Sequence, residues 1–210
     1  MLEKGPMLLI LFLSIVIHEY AHGYIAFRLG DPTAMKKGRL TLNPLAHIDP
    51  IGTIVLPLIL VLTNSPFLFG WAKPVPVNPR HFSNPITGMA KVGVAGPGAN
   101  LLLALGAAIM IRIAVAPNDL GGGLLESLLF YTIQINVILA ILNLLPVPPL
   151  DGSRIIIPFL PQEGRRLYWR LERFGMFIVM GLLVTGLLWR IITPVIRVFL
   201  SFFFSMAGLI

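Results

Sequence analysis

Long apolar runs separated by short polar connections set the pattern of this chain. The first run extends from about Pro6 to Leu29, and the polar connection "GDPTAMKKGRLTLNPLAHIDP" follows it. Next comes "IGTIVLPLILVLTNSPFLFG", apolar but with Pro57 inside it and Pro66 near its end. Further runs go from about Gly88 to Ala116 and from about Leu124 to Leu145, and two closing segments cover about residues 175–189 and 191–204. A helix needs roughly 20 apolar residues to cross the hydrocarbon core, and the longer runs meet that length. A β-barrel would show short alternating segments instead. The pattern therefore predicts an all-α polytopic membrane protein with about five to six transmembrane helices. Between the first and second core helices, "GWAKPVPVNPRHFSNP" is too rich in proline to be helical throughout, so a re-entrant or extended segment is expected there. The chain reads as a single membrane-embedded domain over residues 1–210, with a core at 6–157 and closing helices at 174–206.

Composition agrees with this pattern. The 210 residues are 56% hydrophobic and only 12% charged, with mean hydropathy +0.87; a soluble domain carries about twice that charged fraction. The net charge of +7 invites comparison with nucleic-acid binders, but the basic residues sit between apolar runs. There they serve as topology signals or contacts to anionic lipid, so the lipid bilayer is the expected partner and nucleic acid is not. If residues 51–70 enter the membrane and return on the same face, only Lys4, Arg112, Arg190 and Arg197 of the 16 basic residues lie opposite. The positive-inside rule favours that arrangement over a full crossing. It predicts a multi-pass protein of the cell membrane with its N-terminus outside. The stretch "EGRRLYWRLERF" is expected at the interface, anchored by Tyr168 and Trp169. With no cysteine, disulfides, thiolate metal sites and thiol nucleophiles are excluded.

The first run contains the most costly residues of the chain, His18-Glu19-Tyr20-Ala21-His22. Ionisable groups inside a spanning segment are expensive to bury and usually mark function. On a helix, histidines four apart lie one turn apart on the same face and can bind one metal ion. Glu19 projects beside them, suited to take a proton from a metal-bound water. Tetrahedral catalytic zinc needs a third protein ligand. The metzincin pattern would place a histidine six residues past His22, where Arg28 stands, so that pattern fails. His47 and His81 lie in proline-rich connections and are expected at the interface. The acidic candidates are Asp31, Asp49, Asp119, Glu126, Glu163, Glu172 and Asp151, the last distinguished by its place at the end of "ILNLLPVPPLDG".

"HEYAH", "AGPGAN" and "LNLLPVPPLDG" together closely resemble the site-2 protease family of intramembrane zinc metalloproteases, and "GWAKPVPVNP" is similar to its compact prokaryotic members. The resemblance runs from the first helix to about Gly152. It implies that His18, His22 and Asp151 ligate Zn2+ and that Glu19 is the general base and acid. It further implies that Asn143 assists near the metal and that Asn100 occupies a polar position on the middle core helix. Interhelical hydrogen bonding is the structural alternative for both amides. Gly96, Gly98 and Ala99 read as small residues that allow close helix packing. The implied activity is cleavage of transmembrane segments in membrane-protein substrates. The competing readings are a membrane zinc-binding or transport protein and a non-cleaving relative. Transport would favour repeats and a polar route from both faces; the sequence shows no such repeat, and Glu19 between the histidines suits water activation.

Overall fold

The computed structural model describes residues 4–63, 72–114 and 123–210. Among these residues it contains helices and turns but no strand. Four helices are long and apolar enough to cross a membrane: α1 (Lys4–Arg28), α4 (Pro85–Ala114), α5 (Leu124–Asn143) and α9 (Leu187–Ala207). The intervening helices are shorter. They are α2 (Thr33–Lys36), α3 (Leu56–Leu62), α6 (Asp151–Ile156), α7 (Gln162–Glu172) and α8 (Gly175–Val184). Among the described residues two apolar helical segments are shorter: α8, and Pro50–Leu60, where a π-helical turn leads into α3. At 1.5 Å per residue the 25 residues of α1 extend about 37 Å, enough to cross hydrocarbon about 30 Å thick.

Local chemistry sets the ends of these helices. At the start of α4 the Asn84 side chain accepts from the Ile86 and Thr87 backbone N–H groups at 3.1 and 3.2 Å, with Pro85 in the first helical position. This combines an N-cap with a proline whose missing N–H costs nothing there. The closing segments divide at Gly186, whose φ of +70° starts α9, and Gly208 at φ +75° ends it.

Apolar packing joins α4, α5 and α9. Ala104, Ala107, Ala108 and Ile111 of α4 meet Leu129, Ile133, Val137 and Ile141 of α5. The same cluster takes in Leu188, Ile192, Ile196, Phe203 and Ala207 of α9. The alanines let the helix backbones approach closely, as membrane helices require where no hydrophobic effect drives them together. Outward positions stay apolar, with Ile113 81% and Val198 68% exposed, as suits a lipid-facing surface.

The polar side of the bundle is α1 packed against α4 and α5. His22 meets Val92 and Ser14 meets Asn100, so α1 and α4 run antiparallel. At the end of α1, buried Asp31 accepts from the Asn78 backbone N–H at 2.6 Å and pairs with His81 Nδ1 at 2.8 Å. Residues 31 and 78–81 therefore lie at the same end of α1. The chain between them leaves and returns at that end of α1, and residues 64–71, on which the re-entrant expectation turns, lie outside the described residues.

Candidate metal centre

α1 carries His18 and His22 one helical turn apart, and both are buried. The third group comes from a distant part of the chain. α5 ends at Asn143, and the proline-containing turn that follows delivers Asp151 as the first residue of α6. Gly152 is tightly confined there, because a Cβ would run into the Leu144 and Leu145 carbonyls. That confinement explains the glycine beside the aspartate.

His18 Nε2, His22 Nε2 and Asp151 Oδ2 converge, with separations of 3.0 Å between the nitrogens and 3.1 Å from each nitrogen to the oxygen. Bonds of 2.0–2.1 Å in a tetrahedral zinc site would put ligand atoms about 3.3 Å apart, so the cluster fits a zinc ion with small adjustment. The hydrogen-bond partners strengthen this fit. His22 Nδ1 lies 2.7 Å from the Val92 carbonyl, which can only accept, so Nδ1 carries the proton. His18 Nδ1 lies 2.6 Å from Asn100 Oδ1, an acceptor likewise. In neutral rings both Nε2 atoms are then lone pairs, facing each other and a carboxylate oxygen with no proton among them. A metal cation among them satisfies that arrangement.

α4 makes the room. A Cβ at Gly96 would sit 2.5 Å from His18 Cε1, His18 Nε2 and His22 Nε2, so this position is open toward the metal-facing atoms only because it is glycine. Gly98, two residues on, has nothing within 4 Å, so nothing in the packing demands a small residue there. Arg154 Nη1 approaches the other carboxylate oxygen of Asp151 at 3.5 Å.

Glu19 is partly buried beside the histidines, and its Oε2 accepts the Val75 N–H at 2.7 Å. Val75 belongs to the segment 72–78, which has neither helix nor strand and crosses α1 at this point. Lys73 N–H donates to the His47 carbonyl at 2.9 Å and Asn78 N–H to Asp31, while Arg39 donates to the Lys73 carbonyl at 2.6 Å. Proline has no N–H, so at 74, 76 and 79 the chain offers no competing donors. Burial pushes the Asp31 carboxyl up, but hydrogen bonds from Thr33, the Asn78 backbone and His81 outweigh it and hold the group below its ordinary value.

The sequence-derived candidates separate accordingly. His18, His22, Asp151 and Asn100 come together, with Glu19 adjacent. Among the described residues no other group of three His or acidic side chains could hold a metal. Asp119 lies outside the described residues. Asn143 makes no hydrogen bond to the converging groups; its amide donates to the Leu139 carbonyl of its own helix at 2.9 Å. His47, expected at the interface, is fully buried, because its Nε2 donates to the Thr41 carbonyl and the connection folds over it. Sequence reasoning missed Ser14 and Asn136, both buried and both linked to Asn100. A signal was present: each is a polar residue inside a spanning run, the criterion that singled out the histidines.

Residues 110–186 match the family described as peptidase family M50. The chain is 40% identical over 201 residues to "Putative zinc metalloprotease YwhC" of Bacillus subtilis, covering 93% of this chain and 88% of that one. It is 31% identical over 180 residues to "Putative zinc metalloprotease Rip2" of Mycolicibacterium smegmatis, covering 85% of this chain and 66% of that one. The Mycobacterium tuberculosis protein of the same description is 27% identical over 169 residues, 80% of this chain and 62% of that one. No solved structure matches the chain at a comparable level. The matched residues continue past Gly152 into α8 and beyond.

Proposed function

The chain belongs to peptidase family M50, the site-2 proteases, and from that premise we propose that it cleaves transmembrane segments of membrane-protein substrates within the bilayer. That it is a membrane zinc metalloendopeptidase follows from the family and the apolar helices. We assign His18, His22 and Asp151 to the metal and Glu19 to proton transfer. One observation carries this assignment: three atoms able to ligate a metal converge inside a spanning helix bundle.

Zinc, when bound, acidifies a coordinated water and polarises the scissile carbonyl. The chain does the rest. Asn100 and the Val92 carbonyl hold the two imidazoles by Nδ1, so both rings keep Nε2 turned inward. The Val75 N–H fixes one oxygen of the Glu19 carboxylate and leaves the other to accept the water proton and return it to the leaving amine. A substrate helix hides its carbonyls in i to i−4 hydrogen bonds, so the peptide must unwind locally before attack. The segment 72–78, pinned to Glu19, Asp31 and His47, is placed to receive the unwound strand by main-chain pairing. We retain Asn143 as an accessory group that would have to leave its Leu139 bond to act.

We read the chain as one peptidase domain, multi-pass in the cell membrane, with the N-terminus outside and the metal nearer the cytoplasm. The charge distribution supports this side assignment. The decisive experiment compares wild type with Glu19→Gln on a transmembrane substrate in lipid. Glu19→Gln should keep its zinc, since the side chain is not a ligand, while cleavage falls by about 10²–10⁴-fold. Cleavage near the wild-type rate would refute the proton-transfer role, and zinc flux without cleavage in wild type would refute the whole reading.

A further inference from the structure

We propose that Asn136 and Ser14 are positioning residues for His18, forming a buried relay that holds the ring in the tautomer able to bind zinc. The proposal rests on His18 being a zinc ligand, as assigned above.

The relay starts at a group whose role is fixed. The Thr132 carbonyl can only accept, and Asn136 lies 2.9 Å from it, so the Asn136 group on that side is the NH2. The second hydrogen of that NH2 goes to Ser14 Oγ, also at 2.9 Å. Asn136 Oδ1 must then face Asn100, 2.7 Å away, and Asn100 must present its own NH2 there. The same NH2 lies 3.5 Å from the Ser14 carbonyl, again an acceptor. Asn100 Oδ1 is left facing His18 Nδ1 at 2.6 Å, and only an N–H satisfies it. A neutral ring with its proton on Nδ1 carries its lone pair on Nε2, the atom that meets His22 and Asp151.

Each step has one solution. Turning Asn136 over would set its oxygen against the Thr132 carbonyl and its NH2 against that of Asn100. No solvent can repair the mismatch, because Asn100 and Asn136 are both 0% exposed and Ser14 is 3% exposed. Three helices therefore cooperate to set one proton: α1 through Ser14 and His18, α4 through Asn100, and α5 through Thr132 and Asn136. Without the anchor on α5, the Asn100 amide can turn over and donate its NH2 to Nδ1 of a His18 ring whose proton sits on Nε2, which blocks the metal-binding lone pair.

The test uses the full chain with Asn136→Leu, Asn136→Asp and Ser14→Ala. Competition against a chromophoric chelator should show the zinc dissociation constant of Asn136→Leu raised about tenfold or more. Ser14→Ala should change it less, because the Thr132 anchor remains. Nitrogen NMR of labelled imidazoles in metal-free protein should show His18, identified by its loss in His18→Ala, moving from a single Nδ1–H form to mixed tautomers in Asn136→Leu. Asn136→Asp, neutral in this buried site, keeps an O–H toward the Thr132 carbonyl and an acceptor facing Asn100, and should restore the single form, which a purely structural role would not predict. If leucine prevents folding, Asn136→Ala carries the same test. A folded variant lacking the Asn136 amide with wild-type zinc affinity and an unchanged His18 tautomer overturns the proposal. Wild-type zinc affinity in His18→Ala would instead overturn the ligand assignment on which it rests.

Discussion

Gly96→Ala adds one methyl group to a membrane helix, and it should nevertheless disable the enzyme. In most helix positions the change would help, since alanine is favoured over glycine by about 1 kcal/mol. Here the added Cβ would stand 2.5 Å from His18 Nε2 and His22 Nε2, against 3.4 Å for the near edge of ordinary contact. Something must therefore move by about 0.9 Å, the difference between those distances. The neighbours are imidazole rings already fixed at Nδ1 by Asn100 and the Val92 carbonyl, so the rings cannot retreat without breaking those bonds. A displacement near 1 Å at reacting groups costs about 10²-fold in rate. We expect weaker zinc binding by chelator competition and cleavage lowered by about that factor, with helix content retained and stability lowered by about 1–3 kcal/mol, as overpacking costs. Gly98→Ala and Gly106→Ala are the controls, because neither position has an atom within 4 Å of the added Cβ. Both should gain helix propensity and keep zinc and activity. Wild-type zinc affinity and cleavage in Gly96→Ala would refute the geometry of the centre.

Asp151→Ala should lose zinc as fully as His18→Ala or His22→Ala, measured as metal per chain after purification; full retention would remove Asp151 from the ligand set. Asp31→Asn should weaken the attachment of segment 72–78 by about 2 kcal/mol through loss of charge-assisted hydrogen bonds, seen as faster proteolysis between residues 31 and 85. Because the folded Asp31 carboxyl sits below its ordinary value, its contribution is full above the ordinary carboxylate range and is lost as pH falls through the lower folded value. Wild type should loosen on acidification, Asp31→Asn should show a flatter profile, and parallel profiles would argue against the attachment. Lys37→Cys, Arg80→Cys and Gln162→Cys should be labelled from the cytoplasmic face and Leu124→Cys from the opposite one; labelling of Lys37→Cys and Arg80→Cys from different faces would restore a full crossing between them.

Several features were legible in the sequence because they depend on local spacing. Helix spans follow from the length of apolar runs: α1, α4 and α5 agree with their runs to within a few residues, whereas a left-handed glycine at 186, rather than Arg190, divides the closing segments. The two histidines and Glu19 were legible because a helix brings residues four apart to one face whatever surrounds it. Asp151 lies 129 residues beyond His22, and no periodicity reports that distance, so spacing alone left seven acidic candidates open. Resemblance to the family singled Asp151 out before the fold brought it to the histidines. Gly96 and Gly98 look alike in sequence, yet only the first faces the imidazoles. Asn136 and Asn143 share a helix and chemistry, yet one joins the buried relay and the other bonds to its own backbone. Short-range rules establish which groups the chain must bury. Which partner each buried group meets depends on the register of α1, α4 and α5 against one another, and only the tertiary structure sets that register.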